Sequence, residues 1–133
     1  MKTILKYMML SLLIVGISAC DNAANENDTP TFIVEGGGGE QFRVQITDPQ
    51  MEKAADSLLA NNVNKIVHGT LRRGDGGFNE PYGWHLDPST ITFPDLAIEL
   101  CDGRPSKIDD DLDYWIDTVK IYCPWGAKIV GKE

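Results

Sequence analysis

The chain places its apolar residues in three patterns, and each predicts a different element. Lys2 and Lys6 precede the run Met8-Met9-Leu10-Ser11-Leu12-Leu13-Ile14-Val15, and Gly16-Ile17-Ser18-Ala19 follows it. A charged, an apolar and a small-residue region in that order predict a cleaved export signal over 1–19. The apolar region, roughly ten residues, falls well short of the about 20 that a helix needs to span a bilayer core. Over 41–46 the pattern becomes strict alternation, with Phe42, Val44 and Ile46 apolar, which predicts a half-buried strand. Over 49–60 it changes again, with Met51, Ala54, Ala55, Leu58 and Leu59 at helical spacing. Asp48 as N-cap and Pro49 at the first helical position start that helix, and Asn61-Asn62 ends it.

Residues 63–71 read as a further strand, with Ile66 and Val67 apolar and Gly69 marking a bulge. Arg72-Arg73-Gly74-Asp75-Gly76-Gly77 is a glycine-rich turn, which predicts a hairpin returning through Tyr82-Gly83-Trp84-His85-Leu86. Residues 96–101 form another expected strand, and 119–123 the last, continued after Pro124 by 127–130. One helix among several mostly antiparallel strands predicts the fold class: α+β, a small, mostly antiparallel sheet with one main helix packed on one face. Residues 21–40 begin polar and end in Gly36-Gly37-Gly38-Gly39, whose backbone entropy opposes regular structure. The expected organisation is a signal over 1–19, a flexible tether over 20–40 and a single domain over 41–133. Within the tether, Phe32-Ile33-Val34 reads equally as a strand added to the domain edge, a patch for a partner, or an incidental apolar spot.

Ile17-Ser18-Ala19-Cys20 resembles the bacterial lipobox, an aliphatic residue and two small ones before a cysteine. In that motif the cysteine thiolate takes up a diacylglyceryl group as a thioether, and the signal is then cut before it. Cys20 is therefore the expected lipid attachment point, and its acyl chains, palmitate among them, bury at about 0.8 kcal/mol per methylene. The alternative is ordinary cleavage after Ala19, with Cys20 left as a thiol. Asp21 resembles the residue that retains some lipoproteins in the inner membrane, so inner and outer membrane both stay open. The expected location is the cell membrane, with the domain held on the exported, periplasmic side.

The net charge is −8, and losing Lys2 and Lys6 with the signal takes it to −10. Such an acidic chain is not expected to bind nucleic acid or to dock electrostatically on anionic lipid. Cys101 and Cys123 remain, and a pair in a small exported domain reads as a disulfide. A two-cysteine metal half-site is the alternative, but no CxxC or histidine stands at ligand spacing.

Several stretches taken together resemble one family: Phe42-Arg43-Val44-Gln45-Ile46-Thr47-Asp48-Pro49, Ile66-Val67-His68-Gly69, Trp84-His85-Leu86-Asp87-Pro88, Ala97-Ile98-Glu99-Leu100-Cys101-Asp102 and Tyr122-Cys123-Pro124-Trp125. In this order they look like the N-terminal domain of a family named after a slime-mould calmodulin-binding protein, which has many small secreted bacterial relatives. The resemblance runs over about 41–131. It implies a compact domain without established catalytic residues, so no site carries over. Calmodulin is not an expected partner, because its targets usually present a basic amphipathic helix, whereas the helix here carries Glu52, Lys53 and Asp56.

The candidate chemistry is sparse. His68, His85 and Asp87 include possible metal ligands, but Trp84-His85-Leu86-Asp87-Pro88 reads more simply as a strand ending in a turn. Asp109, Asp111, Asp113 and Asp117 match positions 1, 3, 5 and 9 of a calcium loop, yet Tyr114 stands where the turn glycine belongs and Lys120 where the closing glutamate belongs. A solvated acidic face with Leu112, Trp115 and Ile116 turned inward is the expected reading. No Gly-x-Ser-x-Gly motif or phosphate loop is present. No catalytic residue, metal site or cofactor is therefore assigned. The expected function is a membrane-anchored, non-enzymatic binding module whose partner is an envelope or exported protein, with Trp84, His85 and Trp125 as possible ligand contacts. The alternatives are an inhibitor of an exported hydrolase, and a small hydrolase using His85 and a carboxylate.

Overall fold

The computed structural model describes residues 28–133, so the export signal, Cys20 and the first part of the tether lie outside the described residues. In chain order the elements are β1 (Thr31–Glu35), β2 (Gln41–Gln45), α1 (Pro49–Asn61), β3 (Gly69–Arg73), β4 (Trp84–Leu86), α2 (Pro105–Asp110), α3 (Leu112–Tyr114), β5 (Ile121–Tyr122) and β6 (Lys128–Lys132). Short 3₁₀ turns lie at Gly37–Gly39 and Glu99–Cys101, and a π turn at Trp115–Val119. The α+β class holds, but the strands form two three-stranded antiparallel sheets, ordered β2-β1-β6 and β4-β3-β5.

The expected tether over 20–40 requires correction from residue 31 onward. Thr31–Glu35 is the middle strand of its sheet, pairing β2 through Phe32↔Val44 and β6 through Val34↔Ile129. Phe32 and Val34 face the core and are inaccessible, so even this short apolar stretch has strand periodicity once Ile33 is assigned to the other face. The four glycines are the hairpin connection between β1 and β2 and not a joint. Gly38 and Gly39 have φ of +71 and +76, a region glycine enters without steric penalty. A Cβ on Gly38 would also lie 2.9 Å from Nε of Arg104.

Helix α1 forms where expected. The Asp48 carboxylate accepts from the Gln50 and Met51 N–H groups, Pro49 occupies the first turn, and Asn62 closes the helix in the left-handed region at φ 55. Its inward face, centred on Ala55 with Met51, Leu58 and Leu59, packs against the core. Lys132 of β6 pairs with Glu52 and Asp56 of the helix.

Three expected strands are shorter than their apolar runs. Over 63–71, Asn64 makes a single bridge to Lys128 and His68 one to Thr92 before β3 begins at Gly69, so the segment crosses from one sheet to the other. Gly69 is not a bulge: Leu86 and Ile91 press on it, and a Cβ there would lie 2.9 Å from Cδ1 of Ile91. The strand over 119–123 reduces to Ile121–Tyr122. The strand over 96–101 is absent, replaced by an irregular segment and the 3₁₀ turn at Glu99–Cys101.

The edge strands β2 and β4 of the two sheets are joined by one buried side chain. The Asn79 carboxamide accepts from the Arg43 N–H at 2.8 Å and donates to the Trp84 carbonyl at 2.8 Å. Beneath it lie Phe42, Trp84 and Tyr122, with ring centroids 5.4–5.6 Å apart. The Tyr122 hydroxyl donates to the Gly103 carbonyl at 2.7 Å, and burial pushes its pKa well above the ordinary value. The Cys101–Cys123 disulfide, expected from the sequence, is formed in the core with Cα atoms 5.1 Å apart.

Candidate functional site

Pro94 and the disulfide bracket the stretch Asp95-Leu96-Ala97-Ile98-Glu99-Leu100. The sequence reads this stretch as a half-buried strand, but the backbone N–H groups of Leu96, Ala97 and Ile98 make no hydrogen bond among the described residues. Leu96, Ile98 and Leu100 are instead 79, 58 and 56 % exposed. Three such residues in one short segment form a continuous apolar strip, which is the informative kind of exposed apolar surface, unlike isolated leucines.

Elements on both sides shape a groove beside the strip. Its walls are His68 and Thr92, which bridge one another, Pro94, Leu96 and Ile98 from the segment, and Ile121 from β5. It encloses about 380 Å³ and is lined mainly by apolar surface. Across Pro94 and Asp95 a second hollow of about 330 Å³ is lined by Lys65, Ile66 and Trp125. Trp125 is 39 % exposed, and its N–H donates to the Asp102 carboxylate at 2.9 Å. Asp95 is ion-paired with Lys65, whose ammonium lowers the Asp95 pKa chiefly through their hydrogen bond. Strip, groove and Trp125 thus share one side of the segment, anchored at its end by the disulfide.

The other residues singled out in the sequence do not join this surface. Trp84 has no exposed area and packs among Phe42, Tyr82 and Tyr122, so it is corrected from ligand contact to core. Its place in the middle of an alternating strand turns it inward between Leu86 and the aromatic cluster. Its indole N–H has no nitrogen or oxygen acceptor among the described residues. The His85 Nδ1 lies 2.7 Å from the Gly74 carbonyl, and the ring stands edge-on to Phe78. Asp87 turns to Ser89 and Arg72, and hydrogen bonds from Ser89 hold its carboxyl below the usual carboxylate range. Among the described residues no carboxylate hydrogen-bonds the His85 ring, so His85 and Asp87 form no dyad.

The acidic stretch is helical apart from a break at Asp111, and Trp115 is buried while Leu112 and Ile116 are half-buried against the core. Asp109 accepts from the Gly83 N–H at 2.9 Å, and Asp113 and Asp117 both hold Arg73, at 2.8 and 3.2 Å. These carboxylates are structural partners on different sides of the turn and do not converge as a calcium loop does. A polar depression of about 440 Å³ lies between the sheet β2-β1-β6 and the loop before β4. Arg43, the one cation lining it, is bound to Glu133.

The arrangement at the strip is suited to recognition by apolar contact, with charges only at its rim. The sequence reading missed it because alternating aliphatic residues predict a strand whichever face ends up covered. The available signal was the bracketing of Leu96, Ile98 and Leu100 by Pro94 and Cys101, two features that keep a short segment out of a sheet.

No curated protein and no solved structure matches the chain. A family model for the N-terminal domain of the calmodulin-binding protein family matches residues 28–133, which takes in β1 and extends the resemblance across every described element. With the match spanning most of its length, the chain belongs to the calmodulin-binding protein N-terminal domain family.

Proposed function

We propose that this chain is an envelope lipoprotein, held by lipid on Cys20, whose domain is a non-enzymatic protein-binding module. The observation that carries the reading is the exposed strip of Leu96, Ile98 and Leu100 with its adjoining groove and Trp125. Aliphatic side chains flanking a tryptophan are what the buried centre of a protein interface is made of, and leaving them in water is unfavourable at about 25 cal/mol per Å². The disulfide at the strip's end restrains the segment before binding, which reduces the entropy lost on association. Among the described residues no helix is long and apolar enough to cross a membrane, which leaves the lipobox cysteine as the anchor in this reading.

The inhibitor of an exported hydrolase is a narrower form of the same proposal. Its specific support is that an exposed segment restrained by an adjacent disulfide can enter another protein's cleft already ordered. Two measurements test the proposal. Feeding cells a labelled fatty acid should mark the wild-type protein and leave Cys20→Ala unmarked and unprocessed; label retained on Cys20→Ala excludes lipidation there. A photo-crosslinking amino acid in place of Ile98 should capture a protein in the intact envelope, whereas the same probe at Lys53 on α1 should not. Equal yields at the two positions count against the strip as the binding surface.

A further inference from the structure

We infer that the strip and groove take a cationic peptide segment bearing aliphatic side chains, with leucine-like residues set against Leu96, Ile98 and Ile121 and lysine or arginine set against the surrounding carboxylates. The inference rests on the protein-binding reading above and names the partner's chemistry.

The apolar half follows from the groove. A space of about 380 Å³ walled by His68, Thr92, Pro94, Leu96, Ile98 and Ile121 offers no charged group to a side chain entering it. The charged half follows from the rim. Glu99 lies within the strip and Asp102 directly beyond the disulfide cysteine, both exposed, and neither forms an ion pair among the described residues. Lys65, the cation at the Pro94 end, is already bound to Asp95, whose side chain is still 90 % exposed. An apolar ligand covering the groove would exclude water beside these carboxylates and strengthen their attraction for a facing cation.

The same charges oppose the other occupants. A second copy would bring Glu99 and Asp102 near their equivalents on a chain that already carries −8, and an anionic lipid surface would be repelled likewise. A basic amphipathic segment matches both the apolar groove and its acidic rim, with one face for each.

The test uses the full lipidated protein in a nonionic detergent, with empty micelles as the blank. The probe is a short fluorescent amphipathic peptide of leucine and lysine, compared with the same peptide carrying glutamate at every lysine position. The lysine peptide is expected to bind at least about tenfold more tightly than the glutamate peptide, and its binding should weaken as salt rises from about 50 to 500 mM, where screening shortens the reach of surface charge. Leu96→Ser, whose side chain is mostly in solvent and outside the core, should weaken binding about tenfold, and Glu99→Lys by a similar factor. Equal binding of the two peptides, no binding, or indifference to both substitutions overturns the inference. So does self-association of the protein that strengthens with salt and is lost in Leu96→Ser, because a second copy then occupies the strip. If the probe at position 98 captures an envelope protein while the lysine peptide fails to bind, the cationic partner is excluded and the binding module stands. If neither occurs, both readings fall.

Discussion

Asn79 is a single side chain that takes the place of a strand pairing. Its carboxamide accepts from the Arg43 N–H and donates to the Trp84 carbonyl, so the outer edges of β2 and β4 are satisfied by one buried amide. Nothing in its surroundings in sequence, Gly77-Phe78-Asn79-Glu80-Pro81, distinguishes it from any loop asparagine. Removing it leaves two backbone groups unsatisfied in a position closed to water. Asn79→Ala should therefore destabilise by about 2–4 kcal/mol, since each buried orphan costs about 1–3 kcal/mol. Asn79→Asp should be similarly harmful, because it keeps the acceptor, loses the donor and buries a charge. Urea unfolding followed by tryptophan fluorescence measures both; a loss below about 0.5 kcal/mol, the usual range of a surface substitution, would show that the bridge is dispensable. The three tryptophans make the same point about single residues. Trp84 and Trp115 lie in the core and Trp125 is exposed, although each stands in a comparable apolar neighbourhood of the sequence.

At the scale of elements, α2 depends on a residue far from it in sequence. Arg104, at its N-cap, provides no side-chain cap, and the Glu40 carboxylate from the β1–β2 hairpin instead accepts from the Ser106 N–H and hydroxyl, both at 2.8 Å. Those two bonds, the backbone one first, lower the Glu40 pKa, as bonds from Ser89 lower that of Asp87. A carboxylate whose folded pKa lies below its unfolded value releases its proton more readily in the folded state. The stability it contributes is complete above the unfolded pKa, about 4 to 4.5, and is lost as pH falls through the lower folded value. The thermal midpoint should thus be level near neutrality and decline below about pH 4.5, with part of the decline removed in Glu40→Gln. A pH profile identical to wild type in that variant would show that Glu40 is not coupled to folding. The acidic stretch is legible in the same terms. Leu112, Trp115 and Ile116 are at helical spacing, whereas the attachment of Asp113 and Asp117 to Arg73 depends on where β3 runs.

At the scale of the whole molecule, two small sheets are closed around an aromatic cluster, and neither sheet alone could bury it. β1 is central to that closure. Phe32→Ala should destabilise by about 3–5 kcal/mol, the loss typical of a large aromatic side chain removed from a core. A tether residue would show almost none, so calorimetry of this one variant decides between the two descriptions of residues 31–40. The disulfide contributes at the same level. It closes a separation of 22 residues across the segment that carries the strip, α2, α3 and β5. Replacing Cys101 and Cys123 by alanine should lower stability by about 3 kcal/mol through unfolded-state entropy, read as a fall in urea midpoint with the slope nearly unchanged.

What the sequence determined by itself is what depends on neighbours along the chain. The α+β class, helix α1 with both of its caps, the alternation of β2, the returning hairpin through Trp84-His85-Leu86 and the pairing of the two cysteines all follow from local periodicity, capping chemistry or cysteine count. The tertiary structure alone decided what depends on which face another element covers. It made Phe32-Ile33-Val34 a central strand and left Leu96, Ile98 and Leu100 outside any sheet, although both stretches are short, apolar and alternating. For the first, β2 and β6 both lie within hydrogen-bonding reach; for the second, Cys101 is held to Cys123, and β5 extends only from Ile121 to Tyr122. A period of two states which residues share a face, but burial is set by the surfaces that meet that face, and those come from distant parts of the chain.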